Sequence, residues 1–463
     1  MDFLHFADGL QTTTNSFLRK PSELTKSINV HGDTVGSLTK RLGYSEFGTT
    51  VATTSILGAI SYNDISGGTR YLLRYVSGDI QYSTGGAWTS IHGGLNSTAK
   101  VEFTILLDQA FGVGYSSAGY LTPFNIDGTT YSTATNLTGA PSGKFITVYK
   151  DEVYILNLDG APDKFQWSSI PDTGGTTITW TSTDYQRVYT SNGEEITGGH
   201  VNKSINELLV FKLNSLHTWD GYRMKDAGGV GTTSHRSIKT IGGVTYFFNK
   251  GGIYAYNGGG EPVLISRKIE KWIKGIDQTA LGDVFAEVED EKYYKLYVGS
   301  IAVDGDTYTN CEIRYSTVDN TFTIYRYYDT LTCYCQHTVS SVVRTYAGTS
   351  DGEMMKLAEG SDQVYADDGH EISAEFEFET DLGIPKDRKF IDSVFIYSAN
   401  PQNLKGHLRA KGKDWSSWFD VYNERDESVN PDDGRIMQFG FSESSKNNPF
   451  VFEGLTFNAY KTE

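Results

Sequence analysis

The sequence predicts an all-β protein, an irregular β-propeller-like domain followed by a small β-sandwich domain. Three observations predict it. The 463-residue chain carries 50 glycines and 13% aromatic residues, with serine and threonine spread along its length. Glycine supplies tight turns, while threonine and aromatics suit half-buried strands. Its apolar phrases are short and alternate with turn signals, which favours many brief strands over long helices. At 38% hydrophobic residues the chain can still bury a substantial core, which excludes global disorder.

Residues 1–45 read as a lead-in segment docking on the propeller. Pro21, Gly32, Gly36 and Gly43 interrupt short apolar stretches, and Leu24, Ile28, Val30 and Leu38 are candidates to be pinned beneath other elements. Ser22-Glu23-Leu24 after Pro21 allows a brief helix or turn. The segment closes on a basic pair, Lys40-Arg41, followed by Leu42, Gly43 and Tyr44.

Residues 46–367 form a succession of hairpin-like units. Arg70–Val76, Ile80–Tyr82 and Ala87-Trp88 read as three strands separated by Ser77-Gly78-Asp79 and Ser83-Thr84-Gly85-Gly86. The pattern returns at Phe145–Tyr149, Val153–Asn157 and Lys164–Trp167, at Leu208–Phe211 and Ser215–Gly221, and at Val244–Phe248 and Ile253–Gly258. Further units follow at 283–299, 311–327 and 342–357. The strongest phrases recur irregularly, roughly every 30–60 residues, which suits blades with variable loops, roughly six or seven of them. A stack of β-sandwiches uses the same short strands and remains an alternative.

One interruption is helical. Ser266 is a candidate N-cap, and Ile269, Trp272, Ile273 and Ile276 share one face of a short helix near 266–276 at offsets of three, four and seven. The plain reading is a helix covering the rim of a sheet. The sharper one is an interface helix between subunits.

Residues 368–463 read as the C-terminal β-sandwich. Ile372–Thr380 alternates as a strand with one buried face does, with Glu375, Glu377 and Glu379 on the wet side. Phe390–Tyr397, Leu404–Ala410, Trp418–Tyr422, Ile436–Phe441 and Phe450–Tyr460 are further strands, and Pro385, Pro401 and Pro431 sit near the turns between them.

Gly242-Gly243 and Gly258-Gly259-Gly260 lack the Lys-Ser/Thr that completes a phosphate loop. Nine histidines are scattered without a zinc-binding helix, although His200 and His217 could meet in a folded unit. Asp304-Gly305-Asp306 lacks the remaining oxygen ligands of a calcium loop and reads as a tight hairpin. Asp79, Asp151, Glu152, Asp220 and Glu261 are acids that a sugar-processing enzyme could pair, but nothing in the sequence sets two of them at a working separation. Residues 83–88 faintly resemble the Ser-x-Asp-x-Gly-x-x-Trp turn of sialidase-like propellers, without its Asp. Trp88, Trp167, Trp180, Trp219, Trp415 and Trp418 suit core positions, with Trp415 and Trp418 the best candidates for a glycan or peptide surface. No catalytic residue, metal ligand or cofactor site is expected.

Composition narrows the partners. With 57 acidic against 40 basic residues the formal charge is −17, which disfavours gripping a phosphate backbone. Cys311, Cys333 and Cys335 make no disulfide framework in a chain of this length, and Cys333 and Cys335 would share a strand face. The opening residues do not read as a secretory signal, and no apolar run approaches the roughly 18 residues of a membrane-spanning helix. Three glycosylation sequons, at Asn96, Asn136 and Asn202, read as chance matches.

Two stretches carry a resemblance. Ser27–Val30 followed by Gly36-Ser37-Leu38-Thr39-Lys40-Arg41-Leu42-Gly43-Tyr44 resembles the introductory hairpin, ending in Lys-Arg-x-Gly, of propeller-type tail hub or nozzle proteins of tailed bacteriophages, especially short-tailed viruses. Lys40, Arg41, Gly43 and Tyr44 are the residues that match, and Leu42 departs from the commoner proline. Gly252–Gly258, followed by Leu264-Ile265-Ser266 and the Ile269–Ile276 helix, is similar to a second stretch of that family. The resemblance implies a virion protein of the tail, assembled in the host cytoplasm. It implies a homo-hexameric ring below the portal or adaptor, in contact with other tail proteins. DNA would pass through that assembly without sequence-specific binding. A host-surface receptor-binding tail protein is the alternative, and a carbohydrate-processing propeller enzyme a more distant one.

Overall fold

A computed structural model describes residue 6 and residues 8–15, 18–32, 36–49, 53–189, 193–381, 386–422, 426–429, 433–446 and 449–462. Strands dominate because the turns between them are built for hairpins. Ser77 (φ +53°) and Gly78 (φ +76°) join Val76 to Asp79, and Asp304 (φ +58°) and Gly305 (φ +91°) join Val303 to Asp306. Positive φ at both central residues matches the twist of the flanking strands. The Asp304-Gly305-Asp306 run is therefore a tight hairpin.

Seven groups of consecutive strands span residues 56–357. Five of them, 56–92, 100–132, 143–187, 196–228 and 239–264, are separate sheets whose strands pair mainly with their sequence neighbours. The opening strands of successive groups pack side by side. Ile56–Asp64 lies on Lys100–Leu106, which lies on Gly143–Tyr149, which meets Ile196–Asn202. Lys239–Ile241 meets Phe285–Glu289, which meets Leu331–Val339, and that strand lies on Ile56–Asp64. The group at 331–357 takes its fourth strand from the N-terminus, Tyr44–Glu46 against Met354–Leu357.

The expected fold class requires correction. Among the described residues the molecule is an all-β, multi-sheet fold of eight sheets, none closed into a barrel, which overturns the propeller-like arrangement. The largest sheet has ten strands and runs through the boundary expected at 367/368. Glu23–Ile28 bridges it: Ile28 pairs with Ile324 on one side and with Glu375 on the other. Hairpin signals are local, and they do not encode how sheets join through a strand from a distant part of the chain.

The C-terminal region consists of two facing sheets. One is the continuation of the ten-stranded sheet through Ile372–Thr380, Met437–Ser445, Lys405–Ala410 and Phe419–Asp420. The other combines Val30–Gly32 and Leu38–Lys40 with Val451–Thr462, Arg388–Ala399 and Asp426–Ser428. Between them lie Phe376, Phe378, Phe439, Phe441, Phe450 and Phe452, joined by Phe6, Leu24, Val30 and Leu38 of the lead-in. Each such side chain contributes about 1.5–3 kcal/mol on full burial. Leu10 and Ile28 instead enter the core of the 285–326 strands. The lead-in thus divides its side chains between two cores, and Glu23 begins a strand where a brief helix or turn was one expectation. Pro401 precedes the turn into Lys405, while Pro385 and Pro431 lie outside the described residues.

The helix is shorter than the stripe implied, a 3-10 turn Ser266–Ile269 running into Glu270–Lys274. Ser266 does not cap it; its Oγ accepts the Ile253 N–H at 2.9 Å. Ile269, Trp272, Ile273 and Ile276 are all buried in this chain's own core, beside Leu296, Ile301 and Ile313. The expectation of an interface helix built on those four is corrected accordingly. Their apolar faces already have a partner, and the face left to solvent carries Glu270 and Lys274, paired at 2.5 Å. Among the described residues no helix is long and apolar enough to cross a membrane.

Candidate functional site

Charged side chains gather at several places in the molecule, and the first contains the lead-in motif. Leu38–Lys40 pairs with Val451–Thr462, and Tyr44–Glu46 with Met354–Leu357, so the three residues between cross from one sheet to another. Lys40 Nζ donates to Glu443 and to the Ser445 carbonyl, the latter at 2.9 Å. Arg41 grips Asp367 through Nη1 at 2.8 Å and Nη2 at 2.6 Å, donates from Nε to Asn29 Oδ1 at 2.8 Å, and also reaches the Leu42 and Arg326 carbonyls. A planar guanidinium is suited to such a fork, and a lysine could not reproduce it. Gly43 is required by space: a Cβ there would stand 1.9 Å from the Ala366 carbonyl oxygen. The Tyr44 hydroxyl donates to Asp329 Oδ2 at 2.7 Å. All four motif residues are buried at one junction.

Burial acts on both cations. It pulls the Lys40 ammonium below its ordinary pKa against the opposing pull of Glu443. It acts in the same sense on Arg41, where the Asp367 carboxylate outweighs it and holds the guanidinium above its ordinary value. A second buried network adjoins them. Lys295 Nζ lies 3.0 Å from Glu289 and 3.1 Å from Glu359, and Arg314 also binds Glu289. Burial would raise the Glu289 carboxyl, but Arg314 and Lys295 lower it. Tyr327 and Tyr334 donate to Glu312 Oε2 at 3.1 and 2.6 Å. These polar groups are satisfied mostly by one another, the arrangement that buried charge demands.

The second place is a cavity of about 750 Å³ between the opening strands. Its charged lining is paired: Lys100 with Asp283, Lys144 with Glu195 at 2.9 Å, and Arg236 with Glu102 at 2.5 Å. Although burial pushes the other way, Asn157 and Lys144 hold Glu195 below the usual carboxylate range. Arg236 also donates from Nη2 to the Leu57 carbonyl at 2.8 Å and the Val101 carbonyl at 3.0 Å. It sits on the 3-10 turn His235–Ser237 and straps together the edges of two other sheets, 56–92 and 100–132. The same side chain borders a further cavity of about 340 Å³, so it stands between the two spaces.

The other candidates disperse. His200 opposes Leu209 and His217 opposes Val210, so the two histidines lie on opposite faces of their sheet. Asp79 accepts from Ser90 and Gln81, Glu152 from Tyr154, and Asp220 from the N–H groups of Tyr222 and Arg223. Asp79, Asp151, Glu152, Asp220 and Glu261 are all absent from the lining of the 750 Å³ cavity. In the expected wet row, Glu375 and Glu377 are half-buried, while Glu379 is buried with Arg19 at 3.3 Å and Lys411 at 2.8 Å. The Ser83 hydroxyl accepts from Gly85 and Gly86, and Trp88 is in the core under Arg74, 4.0 Å from the ring. All three cysteines are buried and free. Among the described residues no group of three or more His, Cys, Asp or Glu is placed to hold a metal ion. Sequence reasoning missed Glu102, Glu195, Asp283 and Arg236, which come from a strand, the residue before another strand and two 3-10 turns, and share no motif. No family model matches the chain, and no curated protein matches it.

Proposed function

We propose that this chain is a structural, non-catalytic component of a bacteriophage tail, forming a homo-hexameric hub or nozzle ring around the DNA exit path below the portal or adaptor. The observation that carries the reading is the burial of the whole Lys40-Arg41-x-Gly43-Tyr44 run, on which the resemblance rests. These residues clasp the N-terminal strands, the closing sheet at 331–357 and the C-terminal sheets into one body, as a stiff wall requires. The Arg236 strap crosses the space between the opening strands, so DNA would run between copies of the chain and not through one. The −17 charge favours a passage that does not trap phosphates.

Ring closure needs a heterologous surface. The hairpin ends at 64–69, 105–110 and 339–343 supply a candidate, because they adjoin: Asp108 accepts the N–H groups of Ile65 and Ser66, and Arg70 reaches the Thr338 carbonyl. Ile65, Ile105, Val339, Val342 and Val343 are exposed there, an apolar patch of the kind that marks a protein contact. The test is the assembly state of the purified chain by mass photometry and negative-stain microscopy. Closed six-membered rings, lost in an Ile65→Lys/Val343→Lys variant with unchanged melting, are expected. A chain that stays monomeric at every concentration reached would contradict the ring.

A further inference from the structure

The cavity of about 750 Å³ between the opening strands has a charge arrangement that the structural role does not use. Its three ion pairs sum to no net charge, but their members are unequally placed. The Lys100 side chain is 33% exposed against 65% for Asp283, and Lys144 is 22% exposed against 50% for Glu195. Arg236 and Glu102 are both at 16% and both border the next space, so they form the floor. Two acids therefore stand at the mouth, while the cations lie deeper.

Donors are left over at that floor. Arg236 uses Nε on Glu102 and Nη2 on two carbonyls, and among the described residues Nη1 has no partner. His235 accepts the Gly199 N–H at Nδ1, 3.3 Å away, and burial lowers its pKa, so the neutral ring carries its proton on Nε2. That N–H has no acceptor among the described residues. Burial and then the nearby Arg236 charge lower the Lys100 ammonium, which spends one of its three donors on Asp283. Glu102 Oε2 is the open acceptor beside them. At the mouth, Glu195 takes Lys144 and Asn157 on Oε2, which leaves Oε1 to accept. An aromatic wall joins the two ends: Phe145 lies 4.7 Å from His235 and meets Tyr115 edge-on at 6.1 Å, and Lys144 lies 5.4 Å from the Tyr115 ring. A lone anion meets the acids at the mouth and a lone cation meets the floor, so neither complements the whole cavity. A molecule with a carboxylate at one end, an ammonium at the other and an apolar body complements all three regions. The volume falls in the roughly 300–1,000 Å³ range of small-molecule sites.

We propose that this cavity binds a zwitterionic amino-carboxylate, either a free amino acid or a short peptide. Its carboxylate takes the Arg236, His235 and Lys100 donors, its ammonium takes Glu195, and its side chain packs on Phe145 and Tyr115. The test is isothermal titration of the full-length chain with phenylalanine, leucine and their tripeptides with alanine, each also in N-acetylated and C-amidated form. At least one zwitterionic probe is expected to bind, about tenfold or more tighter than either of its capped forms. Lys100→Met should weaken the zwitterion but not the C-amidated form. Glu195→Gln should weaken the zwitterion but not the N-acetylated form, with melting unchanged in both variants. A free amino acid that binds as well as its tripeptide names the amino acid as occupant, and the reverse names the peptide. Absence of binding by every zwitterion at millimolar concentration, or capped forms that bind equally well, would overturn the proposal. So would binding that both variants leave intact. Neither result bears on the ring, which is read from assembly state.

Discussion

Arg41 and Asp367, 326 residues apart in the chain, meet in a two-pronged ion pair at 2.8 and 2.6 Å inside the protein. The pair fixes the point where the lead-in leaves the C-terminal sheets and enters the sheet at 331–357. Breaking a buried pair by removing one partner strands the other charge, at a cost of about 3–5 kcal/mol. Arg41→Met is therefore expected to lower unfolding free energy by about that amount in urea titrations. An Arg41→Met/Asp367→Leu double variant should recover part of the loss. Equal loss in single and double variants would mean that the geometry of Asn29 and the Arg326 carbonyl, rather than charge, sets the cost.

Arg236 does for the opening strands what Arg41 does for the lead-in. Arg236→Met leaves Glu102 without its cation and the Leu57 and Val101 carbonyls without that donor. A loss of about 3 kcal/mol or more is expected. Faster hydrogen exchange in 56–64 and 100–106 should accompany it, with the C-terminal sheets unaffected.

Stability should fall on mild acidification because of histidines. Burial lowers His200 from an ordinary 6.5 to about 3 and His337 to about 4. His31 follows His200, at about 3, with Arg314 adding to the effect of burial. Below pH 6.5 the unfolded chain binds protons that these folded rings refuse, so each group's contribution is full above 6.5 and is lost as pH falls towards its folded value. Urea midpoints should therefore drop between pH 7 and pH 4. His200→Gln, which keeps a hydrogen-bonding group near Thr240 without the titration, should flatten the dependence. A midpoint independent of pH across that window would contradict it.

Legibility in the sequence followed the range of the interaction. Ile372–Thr380 was readable to the residue because its alternation is intrinsic to one strand with one buried face. The hairpins at 145–167 and 244–256 were readable for the same reason, their turns lying beside their strands. The stripe of Ile269, Trp272, Ile273 and Ile276 gave the buried face correctly as a face, but not what covers it. Tyr44–Glu46 gave no sign of its partner Met354–Leu357, since pairing register across hundreds of residues leaves no local pattern. In the sequence Lys40 and Arg41 are a basic pair with no acid beside them. Only the arrival of Glu443 and Asp367 from the far end of the chain makes them interior residues.

The tail-conduit reading is tested most directly by cryo-electron microscopy of the native particle that contains this chain. The account predicts six copies in a closed ring coaxial with the DNA path, with the hairpin ends bearing Ile65 and Val343 at the contact between neighbours. Copies placed at the particle periphery, away from the DNA path and without contact to one another, would contradict it.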